Sequence, residues 1–551
     1  MITGSWRAAA TVLHEAGVRV VFGLPGDDMD ALDAVAGAGI RFVLCRDQRN
    51  AVFMATGYAL QSGSLGVALV GKGPAVTNAV TGVLEASSSA APVLLLSAGT
   101  AVERRGSGAF QEVDQLSVVA PLTRWAARVD HPDRLVPMLR RAMAVATHRH
   151  GPAYLELPDH LLKAEIPMPP AGPVEVPAGV TMADDSPATQ ALRAARRPIL
   201  LVGGGMRHRN ADRLIETVAE SLGAAVACTA TGRGAVDESI ELFCGLSGLY
   251  TPDAAARLWA EIDCVIALGS RLEETATFQW PAGIPVVQVN TDVADLNTDF
   301  AGPRVLADAR AVLSAWRGCR AADPSWVATV HSAHNALLSA RDASLRELRE
   351  SPDLHVAEVL AALGEVLPPD LILVQENGLQ DMWSYRFPLY ACAGGAGSVV
   401  PSEQTSLGFG AAAAVGVRVA APDRPVVAFV GDGAFGLFGA DLPTALAEGG
   451  LVYVVLRNGG YGWLQAQLDQ RADPPAGYAF VDPASVSAEA PDLPGLRQVT
   501  ARKATLVADV TEAWKLASAG HVVVLNVPVR LEDAMFGGEA AGGDFPVVDH
   551  E

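Results

Sequence analysis

Two glycine-rich segments near the C-terminus constrain this chain more than anything else in it: Gly431-Asp432-Gly433 and Arg457-Asn458-Gly459-Gly460-Tyr461-Gly462. Each follows an apolar run, PVVAFV over 425–430 and LVYVVL over 451–456, with the length and β-branched character of a buried parallel strand. The two loops are thereby placed at the C-terminal ends of strands, where open α/β sheets bind ligands. Asp432 and the side-chain amide of Asn458 offer hard oxygen ligands, and a backbone carbonyl near Gly460 offers a third, a set suited to Mg2+ shared with ligand phosphates. The glycines let backbone N–H groups approach those phosphates closely.

Such a pair of strand–loop units needs a large α/β frame, and the chain has room for one. Its 551 residues exceed a single core, so about three domains are expected. Half-to-half usage of apolar residues, 50%, supplies the cores. A net charge of −20, from 41 basic and 61 acidic residues, opposes nucleic acid and anionic membranes as partners and leaves a small molecule as the default ligand. The six cysteines are scattered without a CxxC pair, which suggests neither zinc nor a disulfide framework. The opening MITGSWRAAATVLHEAGV lacks a basic start and a long apolar core, and no apolar run reaches the ~18 residues of a membrane span. A soluble, cytoplasmic protein is expected.

Patterning divides the chain into three doubly wound parallel-sheet domains, over 1–165, 188–335 and 351–530. The first reads as a helix over 5–16, a strand over 18–22, a Pro-Gly turn, and strands over 41–44, 66–70 and 92–96. A linker over 166–187 carries six prolines and no helical period. The second opens with a strand over 198–202 and Gly203-Gly204-Gly205, continues through strands over 264–268 and 286–289, and gives way to a helical connector over 325–350. The third holds the opening motif and ends in a strand over 522–527, after which GGEAAGG reads as a flexible tail. Three units of similar size are compatible with one ancestral fold used three times.

Gly431-Asp432-Gly433 followed by Arg457-Asn458 resembles the signature of the thiamine-diphosphate-dependent enzymes, Gly-Asp-Gly and then Asn-Asn after a spacer about a residue longer. The resemblance extends through Phe22-Gly23-Leu24-Pro25-Gly26, Gly73-Pro74-Ala75-Val76-Thr77-Asn78, Gly108-Ala109-Phe110-Gln111-Glu112, Gly151-Pro152-Ala153-Tyr154-Leu155, Gly203-Gly204-Gly205 and Leu407-Gly408-Phe409-Gly410. That order is similar to the acetolactate-synthase-like branch, and the wording over 110–115, FQEVDQ, also to the 2-hydroxyacyl-CoA and oxalyl-CoA lyases. It implies a pyrimidine-binding first domain, a central Rossmann-like domain and a diphosphate-binding third domain. It further implies thiamine diphosphate and Mg2+ as cofactors, and a homodimer or homotetramer in which the first domain of one subunit meets the third of another.

Carried over residue by residue, the resemblance implies Asp432, Asn458 and Gly460 at the metal. Pro25, Gly431, Gly433, Ala434, Asn458, Gly460 and Tyr461 would hold the cofactor, with Leu407 as the apolar wedge that bends it. Lys72, Phe110, Gln111, Trp463 and Gln465 would line the substrate pocket. A lysine at Lys72 could pair with a substrate carboxylate, and it could equally be a solvated loop residue. Gln111 matches the active-site glutamine of acetolactate synthases. Glu376-Asn377-Gly378-Leu379-Gln380 departs from a stretch that helps hold the diphosphate, with Gln380 a partial substitute. The glycine turn at Gly203 resembles one that in some members binds FAD or a nucleotide, and FAD is left open.

The main departure lies in the first domain, where members usually read Arg-His-Glu-Gln-Gly-Ala and the glutamate protonates the pyrimidine. Here Arg46-Asp47-Gln48-Arg49-Asn50-Ala51 puts Gln48 at that position by ungapped counting from Gly57-Tyr58. A glutamine can hydrogen-bond the ring nitrogen but carries no transferable proton. A shift of one residue would instead make Asp47 the acid. With no histidine over 70–78 or 110–115, release of a free aldehyde is disfavoured. The expected activity is a carboligase that decarboxylates a 2-oxo acid and transfers the acyl-anion equivalent to a carbonyl acceptor. Two alternatives stand beside it: a 2-hydroxyacyl lyase or decarboxylase on the same cofactor, and a non-catalytic cofactor-binding homologue.

Overall fold

The computed structural model describes residues 2–26, 29–162, 164–167, 186–210, 212–319, 321–386, 388–395, 397–469, 471, 473, 475–482 and 493–529. Most of the 166–187 linker and the GGEAAGG tail lie outside these residues. The strands of the first domain are β1 (Ile2–Gly4), β2 (Val20–Leu24), β3 (Arg41–Leu44), β4 (Gly66–Val70), β5 (Val93–Gly99), β6 (Trp125–Arg128), β7 (Ala153–Pro158) and β8 (Glu165–Pro167). β1 and β8 form an antiparallel ribbon, and the other six lie parallel in the order β3-β2-β4-β5-β7-β6. The strand expected over 18–22 begins two residues later, because the Val18 N–H closes the preceding helix on Leu13 O at 3.0 Å.

The central domain holds β9 (Pro198–Val202), β10 (Ala225–Cys228), β11 (Phe243–Leu246), β12 (Cys264–Leu268), β13 (Val286–Asn290) and β14 (Arg304–Leu306), parallel in the order β11-β10-β9-β12-β13-β14. The third holds β15 (Ile372–Gln375), β16 (Ser398–Val399), β17 (Val426–Gly431), β18 (Leu451–Arg457), β19 (Leu496–Thr500) and β20 (Val522–Pro528), in the order β16-β15-β17-β18-β20-β19. Counted within each domain, the first and third sheets share the order 2-1-3-4-6-5, whereas the central one runs 3-2-1-4-5-6, the dinucleotide-fold order. Reuse of one topology thus holds for the outer pair and not for the centre. Central strands such as β4, β9 and β12 are buried along their whole length, which is why they read as unbroken apolar runs rather than as alternation.

By packing, the described residues of Met1–Val180, Pro401–Arg424 and Phe438–Glu448 form one unit, and those of Thr181–Val400, Pro425–Leu437 and Gly449–Glu551 a second. In the first unit the helices Gln48–Ser62 and Phe409–Ala420 meet backbone to backbone. A Cβ on Gly57 would stand 2.3 Å from Ala413 O, and one on Gly416 would stand 1.9 Å from Met54 O. Glycine at both positions is therefore a packing requirement.

Candidate active site

In the second unit, the loops after β17 and β18 lock together through Asp432. Its Oδ1 accepts from the N–H groups of Gly433 (2.9 Å) and Gly460 (3.2 Å), and its Oδ2 from those of Asn458 (3.1 Å) and Gly459 (2.8 Å). Burial raises the Asp432 pKa, opposed by these N–H groups and by the nearby Arg457 charge. Gly460 adopts φ +144°, and a Cβ there would lie 2.5 Å from Phe480 O, so only glycine serves. A Cβ on Gly433 would touch the Tyr461 ring at 3.0 Å.

The Asn458 carboxamide turns one of its two polar atoms toward both Asp432 Oδ1 and the Gly460 carbonyl oxygen, 3.1 Å from each. If that atom is nitrogen, it donates to both oxygens. If it is oxygen, it accepts from the Gly460 N–H at 3.3 Å and stands beside two further oxygens, a grouping that a bound cation would stabilise. Neighbouring ligands of an octahedral ion with bonds of 2.0–2.1 Å stand ~2.9 Å apart, close to the observed spacing. The residues fit the metal that the sequence suggested: one carboxylate, one carboxamide and one carbonyl, leaving positions for phosphate oxygens.

Around this centre, Ala434 is buried and Tyr461 is partly exposed. Arg457 closes β18 with its guanidinium buried behind the loop; Nε donates to Asn526 Oδ1 at 2.8 Å, and Nη2 has no partner among the described residues. Gln380 Nε2 donates to the carbonyls of Glu376 (2.9 Å) and Asn377 (2.8 Å), so that group shapes its own loop, while its Oε1 lies beside Gly431. Gln465 is likewise engaged locally, accepting from the Phe480 N–H at 2.8 Å and donating to Asp469 at 2.7 Å. The Trp463 side chain lies outside the described residues.

In the first unit, the ends of β2 and β4 flank the switch point of the sheet, the usual ligand crevice. Pro25 follows β2, and a Cβ on Gly26 would be 3.3 Å from Gly71 Cα, so the two loops are neighbours. Lys72 does not stand free: its Nζ is 2.5 Å from Asp159 Oδ2, with 20% of the lysine side chain exposed. Gln111 takes φ +57° and its carbonyl lies over Gly73, which has φ +60°. Phe110 beside it is 70% exposed.

Gln48 is the first residue of its helix, and its Oε1 accepts from Asn78 Nδ2 at 2.7 Å. Asp47 is the cap of the same helix, accepting from the N–H groups of Arg49 (2.8 Å) and Asn50 (3.3 Å). Its carboxylate is thus engaged by the backbone of its own helix. Leu407 is 37% exposed at the entrance of the helix Phe409–Ala420.

Two residues that sequence reasoning passed over organise this side. Gln115, 2% exposed, accepts from the Gly73 N–H at 2.6 Å and donates to Ala98 O and Tyr154 Oη, both at 3.0 Å, and so pins the Lys72–Gly73 turn. Glu85, fully buried, accepts from Ser402 and Ser406. A glutamine closing the 110–115 segment was a visible signal for the first; nothing in the sequence near Glu85 names its distant partners.

The central domain closes its own switch point. The N–H groups of Gly203 and Gly205 donate to Leu268 O (2.9 Å) and Gly269 O (3.0 Å), and a Cβ on Gly203 would meet Gly269 O at 2.3 Å. The glycines are accounted for by packing of these two loops.

Comparison with known proteins matches three family descriptions in succession along the chain. Residues 6–118 match the family description "Thiamine pyrophosphate enzyme, N-terminal TPP binding domain", 186–316 the central domain of that family, and 376–527 its C-terminal TPP binding domain. The sulfoacetaldehyde acetyltransferase of Rhodobacter capsulatus is 30% identical over 502 residues, covering 83% of this chain and 82% of the relative. The chain belongs to the thiamine pyrophosphate enzymes. Within that family it is also similar to the acetolactate synthase large subunit of Lactococcus lactis, 28% identical over 465 residues (81% of this chain, 79% of the relative). The isozyme 3 large subunit of the Escherichia coli acetolactate synthase is 28% identical over 498 residues (84% and 83%). As a thiamine pyrophosphate enzyme it uses thiamine diphosphate and acts on carbon–carbon bonds. Among the described residues no helix is long and apolar enough to cross a membrane.

Proposed function

We propose that the protein is a carboligase: it decarboxylates a 2-oxo acid and transfers the acyl-anion equivalent to a carbonyl acceptor, with Mg2+ bound by Asp432, Asn458 and the Gly460 carbonyl. The observation that supports the metal site is the Asn458 carboxamide atom lying 3.1 Å from both Asp432 Oδ1 and the Gly460 carbonyl oxygen, where the β17 and β18 loops join. When bound, thiamine diphosphate would supply the nucleophilic carbon that makes an acyl-anion equivalent of a 2-oxo acid accessible, and Asp432, Asn458 and the Gly460 carbonyl would hold the metal that anchors its diphosphate. The similarity to acetolactate synthases and sulfoacetaldehyde acetyltransferases favours transfer over release. The absence of histidine over 70–78 and 110–115 points the same way, since no imidazole there can protonate the fragment.

The remaining roles follow from the side chains. Gln48, held at its oxygen by Asn78, has its N–H2 left to donate to the pyrimidine ring nitrogen. Lys72 exchanges Asp159 for an anionic group of the substrate, and Gln111 and Phe110 line the same mouth. Leu407 is the apolar support under the bent cofactor. We further propose a homodimer or homotetramer in which the pyrimidine side of one subunit serves the diphosphate side of another.

The test is incubation of the protein, loaded with thiamine diphosphate and Mg2+, with a panel of 2-oxo acids and carbonyl acceptors, followed by CO2 detection and product mass spectrometry. A coupled product supports the carboligase. Free aldehyde alone makes it a decarboxylase, cleavage of 2-hydroxyacyl compounds makes it a lyase, and binding without turnover leaves a cofactor-binding homologue, the reading that Gln48 in place of an acid favours.

A further inference from the structure

Glu85 sits in the helix Pro74–Ser88 with its side chain wholly removed from water. Its Oε1 accepts from the Ser402 N–H (2.6 Å) and the Ser89 hydroxyl (3.2 Å), and its Oε2 from the Ser406 N–H (3.3 Å). A carboxylate out of water is stable only where hydrogen bonds replace its hydration, and two of these donors are backbone amides of one short loop more than 300 residues away. That loop requires holding. Thr405 adopts φ +44°, a conformation rare for a β-branched residue, with its N–H turned back on Ser402 O at 2.9 Å. Leu407 follows the second anchored amide directly and is presented outward rather than packed.

The same helix face reaches the other cofactor-facing residue. Asn78, Gly82 and Glu85, spaced i, i+4 and i+7, lie on one side. Asn78 donates to Gln48, a Cβ on Gly82 would stand 2.6 Å from Val52 Cβ and 2.9 Å from Arg49 O, and Glu85 takes the 402–406 loop.

We infer that Glu85 is a positioning residue for the cofactor: through the Ser402 and Ser406 amides it fixes the loop that holds Leu407 at the height the cofactor needs. The inference rests on the proposed role of Leu407. In Glu85→Gln an N–H2 replaces one oxygen and faces an N–H donor. Deuterium exchange at the Ser402 and Ser406 amides is expected to quicken about tenfold, and thiamine diphosphate affinity with Mg2+ to fall about tenfold by calorimetry, the scale of one buried donor left unpaired. Affinity for inorganic pyrophosphate with Mg2+, which reports only the diphosphate side, is expected to stay the same. Leu407→Ala gives the same selective loss, and combining it with Glu85→Gln adds nothing further. Should Glu85→Gln fail to fold, Glu85→Asp, which withdraws the carboxylate by one methylene, is measured identically with the same losses expected. Unchanged amide exchange overturns the anchor, and quicker exchange with unchanged thiamine diphosphate affinity overturns its service to the cofactor. Equal loss of pyrophosphate and thiamine diphosphate reveals a merely structural role. A parent protein that binds pyrophosphate but not thiamine diphosphate overturns the Leu407 reading itself, and this inference with it.

Discussion

Asp47 and Gln48 are neighbours with separable effects. Asp47→Ala removes the cap of the helix Gln48–Ser62 and is expected to cost about 1 kcal/mol in stability, read by denaturant titration, with no change in deuterium exchange at the thiazolium carbon of bound cofactor. Gln48→Glu is expected to speed that exchange, within the ~10²–10⁴-fold range of a positioned acid, because the new carboxyl can carry the proton that the amide cannot. Overall turnover can still fall, since a carboxylate there repels an anionic substrate. If exchange is indifferent to Gln48→Glu and collapses in Asp47→Asn, the assignment of Gln48 is wrong. At the mouth of the same domain, Asp159→Asn releases Lys72 from its ion pair. The Michaelis constant for an anionic 2-oxo acid should then drop by about fivefold, equivalent to ~1 kcal/mol for a partly exposed pair, and Lys72→Met should raise it.

Elements differ in how plainly their sequences announce them. The strands at 66–70, 198–202 and 264–268 were readable to the residue, because each is a buried apolar run with a polar or glycine boundary, whereas 41–44 is an edge strand with Arg41 and Leu44 exposed. β6, with sequence WAAR, and β19, LRQVT, lie at sheet edges, are only partly buried and carry polar residues, so they leave no such run. The joined loops at Asp432 and Asn458 were legible for a similar reason: each directly follows a buried strand, β17 or β18, whose apolar run marks where the loop begins. What could not be read was long-range pairing, Lys72 with Asp159 or Glu85 with Ser402, where neither partner's surroundings specify the other. The short helix Leu379–Tyr385 gives a further case. Asp381 is buried on it and accepts from the N–H groups of Gly378 (3.2 Å) and Met382 (2.7 Å), yet burial prevails and pushes its pKa up to about 8. The folded state therefore keeps a proton that the unfolded chain loses near pH 4, so the stability linked to this group is intact below pH ~4 and is lost as pH rises to about 8. Asp381→Asn, which cannot ionise, should melt with the parent at pH 4 and above it at pH 8; equal melting at both would show that Asp381 is ionised in the fold.

On the scale of the molecule, the central and third sheets of the second unit are joined by an ion pair with no access to water. Arg233 and Glu238 are both fully buried, with Nε and Nη2 of the arginine 2.9 and 3.2 Å from the two carboxylate oxygens. The guanidinium also donates to the carbonyls of Ser384 and Tyr390, and Glu238 accepts from the Cys392 N–H at 2.7 Å, all on the third domain. Nearby, Arg207 donates to Ser398 O, and a Cβ on Gly234 would stand 2.8 Å from Gly397 N. Taking two charges out of water is costly, so the pair is no net source of stability, but breaking it strands one charge in the interior. Glu238→Ala should accordingly cost 3–5 kcal/mol by the usual penalty for one half of a buried pair. Because the stranded guanidinium sits between two sheets with their own cores, scanning calorimetry of Glu238→Ala should resolve the central and third domains as separate transitions. In Arg233→Met/Glu238→Leu both charges are gone, so the double variant should recover much of that loss despite having fewer hydrogen bonds. A double variant as unstable as Glu238→Ala would mean that the donors to Ser384 and Tyr390, rather than the compensation of charge, hold the two sheets together.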